Sequence, residues 1–567
     1  MVASRVLRHA PPGPRDLASI ANFVNAKAEG VKGDGSTQDA GRIQALIEEC
    51  RTASDGTAEY LPYFPPGNYL INDEVWLERQ YGLGMVGAGP RLTRFIWNGA
   101  AGGRMLRVSG VREAALGGFQ LYGDGATVGL TYDAVAGGLV STGNEFERID
   151  ILNHAYGMRV GESSYQTDQS TFRRMRFRDC TVAGVSIEDA NAVAHDFYDC
   201  VWEWCRKGIT AILHGDGGHY NLFGAFFLKG SDYDMGVYPS NRGTKLSGYS
   251  ERGALLLQVA SSSTATQVTL DDWSVNGLSY QETYTPPGSG TFTLTYKGQT
   301  TGALAWNATA ATVQAALVAL STVGSSGGRP NMRVHGGEGS PFVITRDGAL
   351  ESDVTALTAS GGTVAATEHI INFGSSGALK FNNGKYQALL SGRRFEMRIG
   401  GNNNRRTNVI VDGTTFDGDP FASNTNMDLA TVILRGVQVR NVGDITTNAG
   451  AAEVNGKLAY GSLAAPRLLS EAMKWQGAIW YRIPSGTALT AGVNTFTGSS
   501  WQVRGLTTIT ATIHKFGGLT QPAMIRAYDD NATLANQFKV EVVVGSGFTL
   551  TSDLVFKVEF EPEFCHY

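Results

Sequence analysis

Four hexapeptides carry the reading of this chain: Phe146-Glu147-Arg148-Ile149-Asp150-Ile151, Phe172-Arg173-Arg174-Met175-Arg176-Phe177, Phe197-Tyr198-Asp199-Cys200-Val201-Trp202 and Phe223-Gly224-Ala225-Phe226-Phe227-Leu228. They begin 26, 25 and 26 residues apart. The leading Phe and the residues three and five places on are apolar in every copy. That alternation is the period of a strand with one face buried. A Gly opens a second short strand later in each repeat, at Gly157, Gly184, Gly208 and Gly236. Short strands with Gly-marked corners in roughly 25 residues describe one coil of a parallel β-solenoid, which hides its apolar face only by stacking on the next coil.

The same register sets Glu147 over Arg173, Asp150 over Arg176 and Arg174 over Asp199. Outward charges then alternate in sign from coil to coil. Like charges in those places would oppose the register, although each exposed pair is worth only about 0 to 1 kcal/mol.

Upstream stands Ala28-Glu29-Gly30-Val31-Lys32-Gly33-Asp34-Gly35-Ser36-Thr37-Gln38-Asp39, followed by Ile43, Leu46, Ile47 and Cys50 at helical spacing. Ser36 or Thr37 is the expected cap of that helix. The loop lacks the GK[ST] and GxGxxG patterns of phosphate cradles. The helix is therefore expected to cover the open end of the solenoid, shielding its core and unpaired strand edge. Tyr63-Phe64-Pro65-Pro66-Gly67-Asn68-Tyr69-Leu70 then reads as a strand, a turn and a strand.

The order GDG-S/T-x-D, amphipathic helix and FPPGxY resembles the N-terminal entry of the pectate-lyase-like right-handed parallel β-helix superfamily. That superfamily includes pectin-degrading lyases, rhamnogalacturonase-like enzymes, and bacteriophage tailspikes and tail fibres. The resemblance implies the fold and leaves the reaction open.

The fold class expected is all-β dominated: a right-handed parallel β-helix with a capping helix, an inserted α+β module and a C-terminal antiparallel β-sandwich. Residues 1–25 read as an arm or attachment segment, 26–81 as entry and cap, and 82–285 as coils. At Thr285-Pro286-Pro287-Gly288-Ser289-Gly290 the pattern breaks, and 286–368 read as an insert. In it Thr291 to Tyr296 alternates like a strand, Thr309 to Leu320 is helical with Val313, Ala316, Leu317 and Leu320 on one face, and strands lie near Met332–Val334 and Phe342–Thr345. The insert resembles a small module that recurs in phage tail proteins. Coils resume over 369–443, for about eleven in all and a stack of roughly 50 Å at about 4.8 Å per coil. A linker at 444–465 leads to a sandwich at 466–567, suited to trimerisation or receptor binding.

Composition excludes several classes. The net charge of −5 and pI near 6.0 leave no electrostatic footprint for nucleic acid. Five cysteines without a CxxC pair form neither a disulfide framework nor a zinc knuckle, so no metal and no cofactor is expected. No apolar run is long enough to insert in a membrane, and the N-terminus lacks the apolar core of a signal peptide. The resemblance implies the virion as the location, after synthesis in the host cytoplasm.

Cleaving a glycoside takes two carboxylates about 5 to 10 Å apart. The richest patch holds Asp196, Asp199 and Glu203, with Glu188 and Asp189 below and Asp216, Asp232 and Asp234 above. Asp199, Glu203 and Asp216 are the catalytic candidates, although each also fits a structural or solvated role. Trp204, Tyr220 and His219 are the glycan-binding candidates, and His195 and His214 are further acid-base groups. The resemblance implies a structural, receptor-binding tail fibre, tailspike or minor tail protein, homotrimeric, contacting other tail proteins and host surface polysaccharide. The alternative is a polysaccharide depolymerase, hydrolase or lyase, on the same β-helix.

Overall fold

The computed structural model describes residues 23–366 apart from 53–59 and a few short turns, and beyond them the strands and adjoining turns between 371 and 562. The chain divides into two compact units. The first comprises the coils up to Leu257 and most of the insert.

In the first unit each coil contributes to three parallel strand stacks. The first stack runs through Glu145–Glu147, Thr171–Arg173, Asp196–Tyr198 and Asn221–Phe223. The second runs through Asp150–Leu152, Arg176–Arg178, Val201–Glu203, Phe226–Leu228 and Tyr249–Glu251. The third starts at Val75–Tyr81 and climbs through Arg104–Arg112, Val128–Asp133, Tyr156–Val160, Ala183–Ile187, Lys207–Thr210 and Tyr233–Val237. Every pairing is parallel, as the repeat requires.

The apolar columns stack ring on ring. Phe146, Phe172 and Phe197 lie 4.9 and 4.5 Å apart between centroids, and Phe177, Trp202 and Phe227 lie 5.5 and 4.6 Å apart. In the fourth coil the expected register is corrected by one residue: Phe197 pairs with Leu222, and Tyr198 with Phe223. Leu222, Ala225 and Phe227 are buried, while Phe223 and Phe226 turn outward and stack on Tyr198 and Tyr249. A one-residue shift exchanges the two faces of a strand, and a coil with apolar residues on both faces hides that choice from a spacing argument.

Two further expectations are corrected. The entry helix spans Ala40–Thr52, and Ser36 and Thr37 do not cap it; both donate to the Asp34 carboxylate. Asp39, just before the helix, accepts from the Lys32 and Gly33 amides at 2.8 and 2.9 Å and holds the loop closed. A Cβ on Gly33 would fall 2.5 Å from the Tyr69 ring, so the GDG loop and FPPGxY are two halves of one contact. Arg174 does not pair with Asp199: it reaches Glu147 at 3.5 Å. Ile43, Leu46, Ile47 and Cys50 are buried beneath the helix as read.

Between the second and third stacks, the corner residues Asn153, Asp179, Trp204, Lys229 and Arg252 all have φ between 50° and 60°. None is glycine. Stacking therefore imposes this left-handed corner on side chains that disfavour it.

The insert is an α+β module. Strands Gln281–Thr285, Phe342–Arg346 and Met332–Gly336 lie side by side, antiparallel. The helix Ala310–Val318, capped by Thr309, packs Val313 and Leu317 onto Tyr284, Met332, Phe342 and Ile344.

In the second unit parallel coils continue. Gly377–Asn382, Thr407–Asp412 and Ala430–Arg435 are successive partners, with Leu379, Phe381, Val409 and Val411 buried. Lys474–Ile483 still pairs parallel with Ala430–Arg440, and the later pairings are antiparallel: Lys474–Ile483 and Leu506–Phe516 flank Leu554–Pro562, and Gly492–Thr497 and Ala523–Asp530 flank Gln537–Val544. The arm before Phe23, most of the linker, and Asn402 to Arg406 lie outside the described residues.

Candidate functional site

The residues singled out from the sequence fall on different faces. Asp199 is exposed at the corner between the first and second stacks. Glu203 stands on the outer face of the second stack, where its carboxylate accepts from Arg176 Nε at 3.1 Å. Trp204 is covered by the insert: the Arg329 guanidinium carbon lies 3.9 Å from its ring centre. Tyr220 is wholly buried, its hydroxyl donating to the Gly236 carbonyl at 3.0 Å, so its ring has no exposed face for a sugar. His219 is half-buried, and burial lowers its pKa. His195 is fully buried beside the ring of Phe172, and burial pushes its pKa down to about 4. Asp216 and His214 lie outside the described residues.

What the fold does gather lies on the outer face of the third stack. Trp76, Arg107, Thr131, Arg159 and Ser186 are register partners in five successive coils. Because strands alternate, all five point away from the core. Around this column stand carboxylates. Asp133 meets Arg107 at 3.2 Å, Glu188 takes Arg159 through two bonds at 2.7 and 2.6 Å, and Glu162 bridges Arg159 and Arg104. Glu74 lies at the lower end, within the influence of Arg107, Arg104 and Glu162.

This strip is partly dry. Thr131 and Ser186 are fully buried although they face outward, and their hydroxyls are without a hydrogen-bond partner. One oxygen each of Glu74 and Glu162 is also buried and unpartnered. Burial raises the pKa of both carboxyls, outweighing the arginines that would lower it. Trp76 keeps 39% of its surface exposed, with Arg107 5.3 Å from its ring centre. Such a strip sets acid-base groups and an aromatic face along one line, with the two hydroxyls just beneath its surface, a set suited to polyhydroxyl ligands.

The sequence hid this strip. Arg107, Thr131, Arg159 and Ser186 are 24, 28 and 27 residues apart, because the turns around the third stack vary in length. The available signal was a polar residue at the centre of each Gly-led strand, as in Gly157-Met158-Arg159-Val160.

Beside the strip the insert sits on the left-handed corner. Arg329 meets Asp179 at 2.8 Å, Lys229 meets Asp347 at 2.8 Å, and Arg252 meets Glu351 at 2.7 Å. Among the described residues no group of three or more His, Cys, Asp or Glu is placed to hold a metal ion, and no helix is long and apolar enough to cross a membrane.

Residues 23–111 match the model of the family described as rhamnogalacturonase A/epimerase, pectate lyase-like. With the stacked parallel coils, this makes the fold a pectate-lyase-like parallel β-helix. No curated protein matches. Similar solved structures include the A-module of mannuronan C-5 epimerase AlgE6 from Azotobacter vinelandii, at 14% identity and TM-score 0.41, covering 73% of this chain and 93% of that one. ORF18 of Geobacillus virus E2 is similar at 11% identity and TM-score 0.37, covering 98% and 80%. A mutant tailspike protein of E. coli bacteriophage HK620 is similar at 8% identity and TM-score 0.36, covering 96% and 94%. At such identities and scores these likenesses say nothing of function.

Proposed function

We infer that this chain is a structural, receptor-binding component of a phage tail, of the fibre, tailspike or minor tail protein type, and that it holds host surface polysaccharide along the outer face of its third strand stack. The observation that carries the glycan part is the Arg107–Thr131–Arg159–Ser186 column, with outward hydroxyls already dry and two carboxyls, Glu74 and Glu162, shifted toward their neutral form. The tail assignment is supported by the entry motifs and by the insert's resemblance to a phage tail module. Location in the virion, a homotrimer and contacts with other tail proteins belong to the same reading.

A second reading, depolymerisation of that polysaccharide, is favoured by the same two carboxyls. A raised pKa suits a general acid, and a second carboxyl nearby supplies the base or nucleophile. Glu74 and Glu162 are its candidates, ahead of Asp199 and Glu203.

Binding to an array of bacterial surface glycans, followed by a reducing-end assay on every glycan bound, tests both. Binding that Glu162→Gln weakens, without new reducing ends, supports the receptor reading; new ends that vanish in Glu74→Gln and Glu162→Gln support the enzyme. No binding to any glycan would sink both. Light scattering decides the trimer, which has a mass of 3 × 60.5 = 181.5 kDa.

A further inference from the structure

The sheet of the insert meets the β-helix in rows. Gln281, Thr345 and Arg333 are register partners across three strands, and all three hold Ser231. Gln281 Nε2 and Thr345 Oγ1 donate to its carbonyl, and Arg333 Nη1 donates to its hydroxyl at 2.9 Å. This row is buried. Two residues along each strand, on the same face, comes the row Thr283, Val343 and His335, and all three keep partial exposure. The rim of the seam between insert and β-helix therefore lies at His335, with its Nε2 just beneath the surface.

Next to Ser231 in the β-helix is Asp232. Its Oδ2 accepts from Arg206 Nε at 2.8 Å and meets Lys207 Nζ at 3.2 Å. Its Oδ1 is buried and without a partner, and so is His335 Nε2. The two groups influence one another electrostatically: burial holds the imidazole toward its neutral form, and Asp232 opposes that. Lys207 also lies 5.8 Å from the ring centre of Tyr233. Lys207 and Tyr233 belong to the third stack, so this rim continues the strip that starts at Trp76.

We propose that His335 of the insert and Asp232 of the β-helix form the end subsite of the strip, taking a sugar hydroxyl between Nε2 and Oδ1, and that the polysaccharide bound there is uncharged. This rests on the glycan reading above and adds its ligand class. An uncharged chain follows from the ion pairs: each cation named on the strip is already held by a carboxylate, so none is free for a uronate. A long chain follows from the register. Trp76 and Thr210 are five coil steps apart, roughly 24 Å at about 4.8 Å per step.

The test is calorimetric titration of wild type, His335→Ala, His335→Gln and Glu162→Gln with short and long bacterial surface oligosaccharides, neutral and acidic. His335→Ala is expected to lose about tenfold in affinity for long neutral chains, the scale of one hydrogen bond, with short chains and melting temperature unchanged. His335→Gln, which keeps a hydrogen-bonding group, recovers part of the loss. Equal affinity of wild type and His335→Ala for long chains overturns the subsite, while Glu162→Gln still reports on the strip. A wild-type preference for acidic over neutral chains overturns the uncharged class. If the wild type binds no glycan, the glycan reading fails and the subsite falls with it.

Discussion

Arg329 holds Asp179, 150 residues earlier in the chain, with both arms of its guanidinium, at 2.8 and 3.1 Å, and the same group lies flat enough on Trp204 to put its carbon 3.9 Å from the ring centre. Both ionic side chains stay about a third exposed, so the charge contact is worth only about 0 to 1 kcal/mol and the stacking about 0.5 to 2. Arg329→Ala is expected to destabilise the docked module by about 1 to 2 kcal/mol. Asp179→Asn should cost less, and high salt should remove a larger fraction of its effect than of the Arg329→Ala effect, which also contains the stacking on Trp204. Urea unfolding read by tryptophan fluorescence at low and high salt checks this; an Arg329→Ala effect that vanishes in high salt as completely as that of Asp179→Asn would refute the stacking share.

Asp234 predicts a pH dependence. It occupies the column of Gly157, Gly184 and Gly208, at the level where the Phe177–Trp202–Phe227 stack gives way to Ser250, and its carboxyl fills the space inside the coil. Burial pushes its pKa up to about 7, with the nearby Ser250 side chain opposing. A folded pKa above the unfolded one means that folding favours the protonated acid. Stability from this group is full below about pH 4 and is lost as pH rises toward 7, on the order of 4 kcal/mol in all. Asp234→Asn should be no more stable than wild type at pH 4 and clearly more stable at pH 8. Parallel pH profiles of the two would contradict the assignment.

Gly184→Ala should fail for a steric reason. Its Cβ would lie 2.5 Å from a Trp202 ring carbon and 2.7 Å from the Gly208 carbonyl oxygen. Overpacking of this kind costs about 1 to 3 kcal/mol. Adding Trp202→Phe should return part of the loss, because the smaller ring retreats. Additive effects in thermal unfolding would show that the backbone carbonyl alone sets the penalty.

Within the insert, Arg346 and Glu282 form an ion pair at 2.6 Å with both side chains essentially inaccessible, and Glu282 also accepts from the Leu357 amide at 2.9 Å. Removing one partner leaves a buried charge, so Arg346→Met should cost about 3 to 5 kcal/mol. Arg346→Met with Glu282→Leu should be milder than either single change. Hydrogen exchange of the insert amides reports it; a double variant worse than both singles would show that the Leu357 bond matters more than the charge.

The repeat was legible because ring stacking forces an apolar residue back to the same place in every coil, and Phe146, Phe172 and Phe197 obey that. Entry loop, helix and FPPGxY were legible because Gly33 and Tyr69 must touch. Phe223 was misplaced because Phe223, Phe226 and Phe227 give both faces of one strand an apolar appearance. The strip from Trp76 to Ser186 was invisible for another reason: each residue in it is ordinary, and only the register across turns of unequal length brings them into line. Likewise nothing in the local sequence ties Arg329 to Asp179 or Arg333 to Ser231.

The order of synthesis gives the corner a second meaning. The coils that carry Asp179, Ser231 and Arg252 leave the ribosome before Arg329, Arg333 and Glu351 do, so the seat exists when its occupant emerges. A coil stacked out of step would displace one of those anchors by about 4.8 Å, too far for the same side chains to reach. The module can therefore reach all three anchors only when the coils beneath it stand in this order.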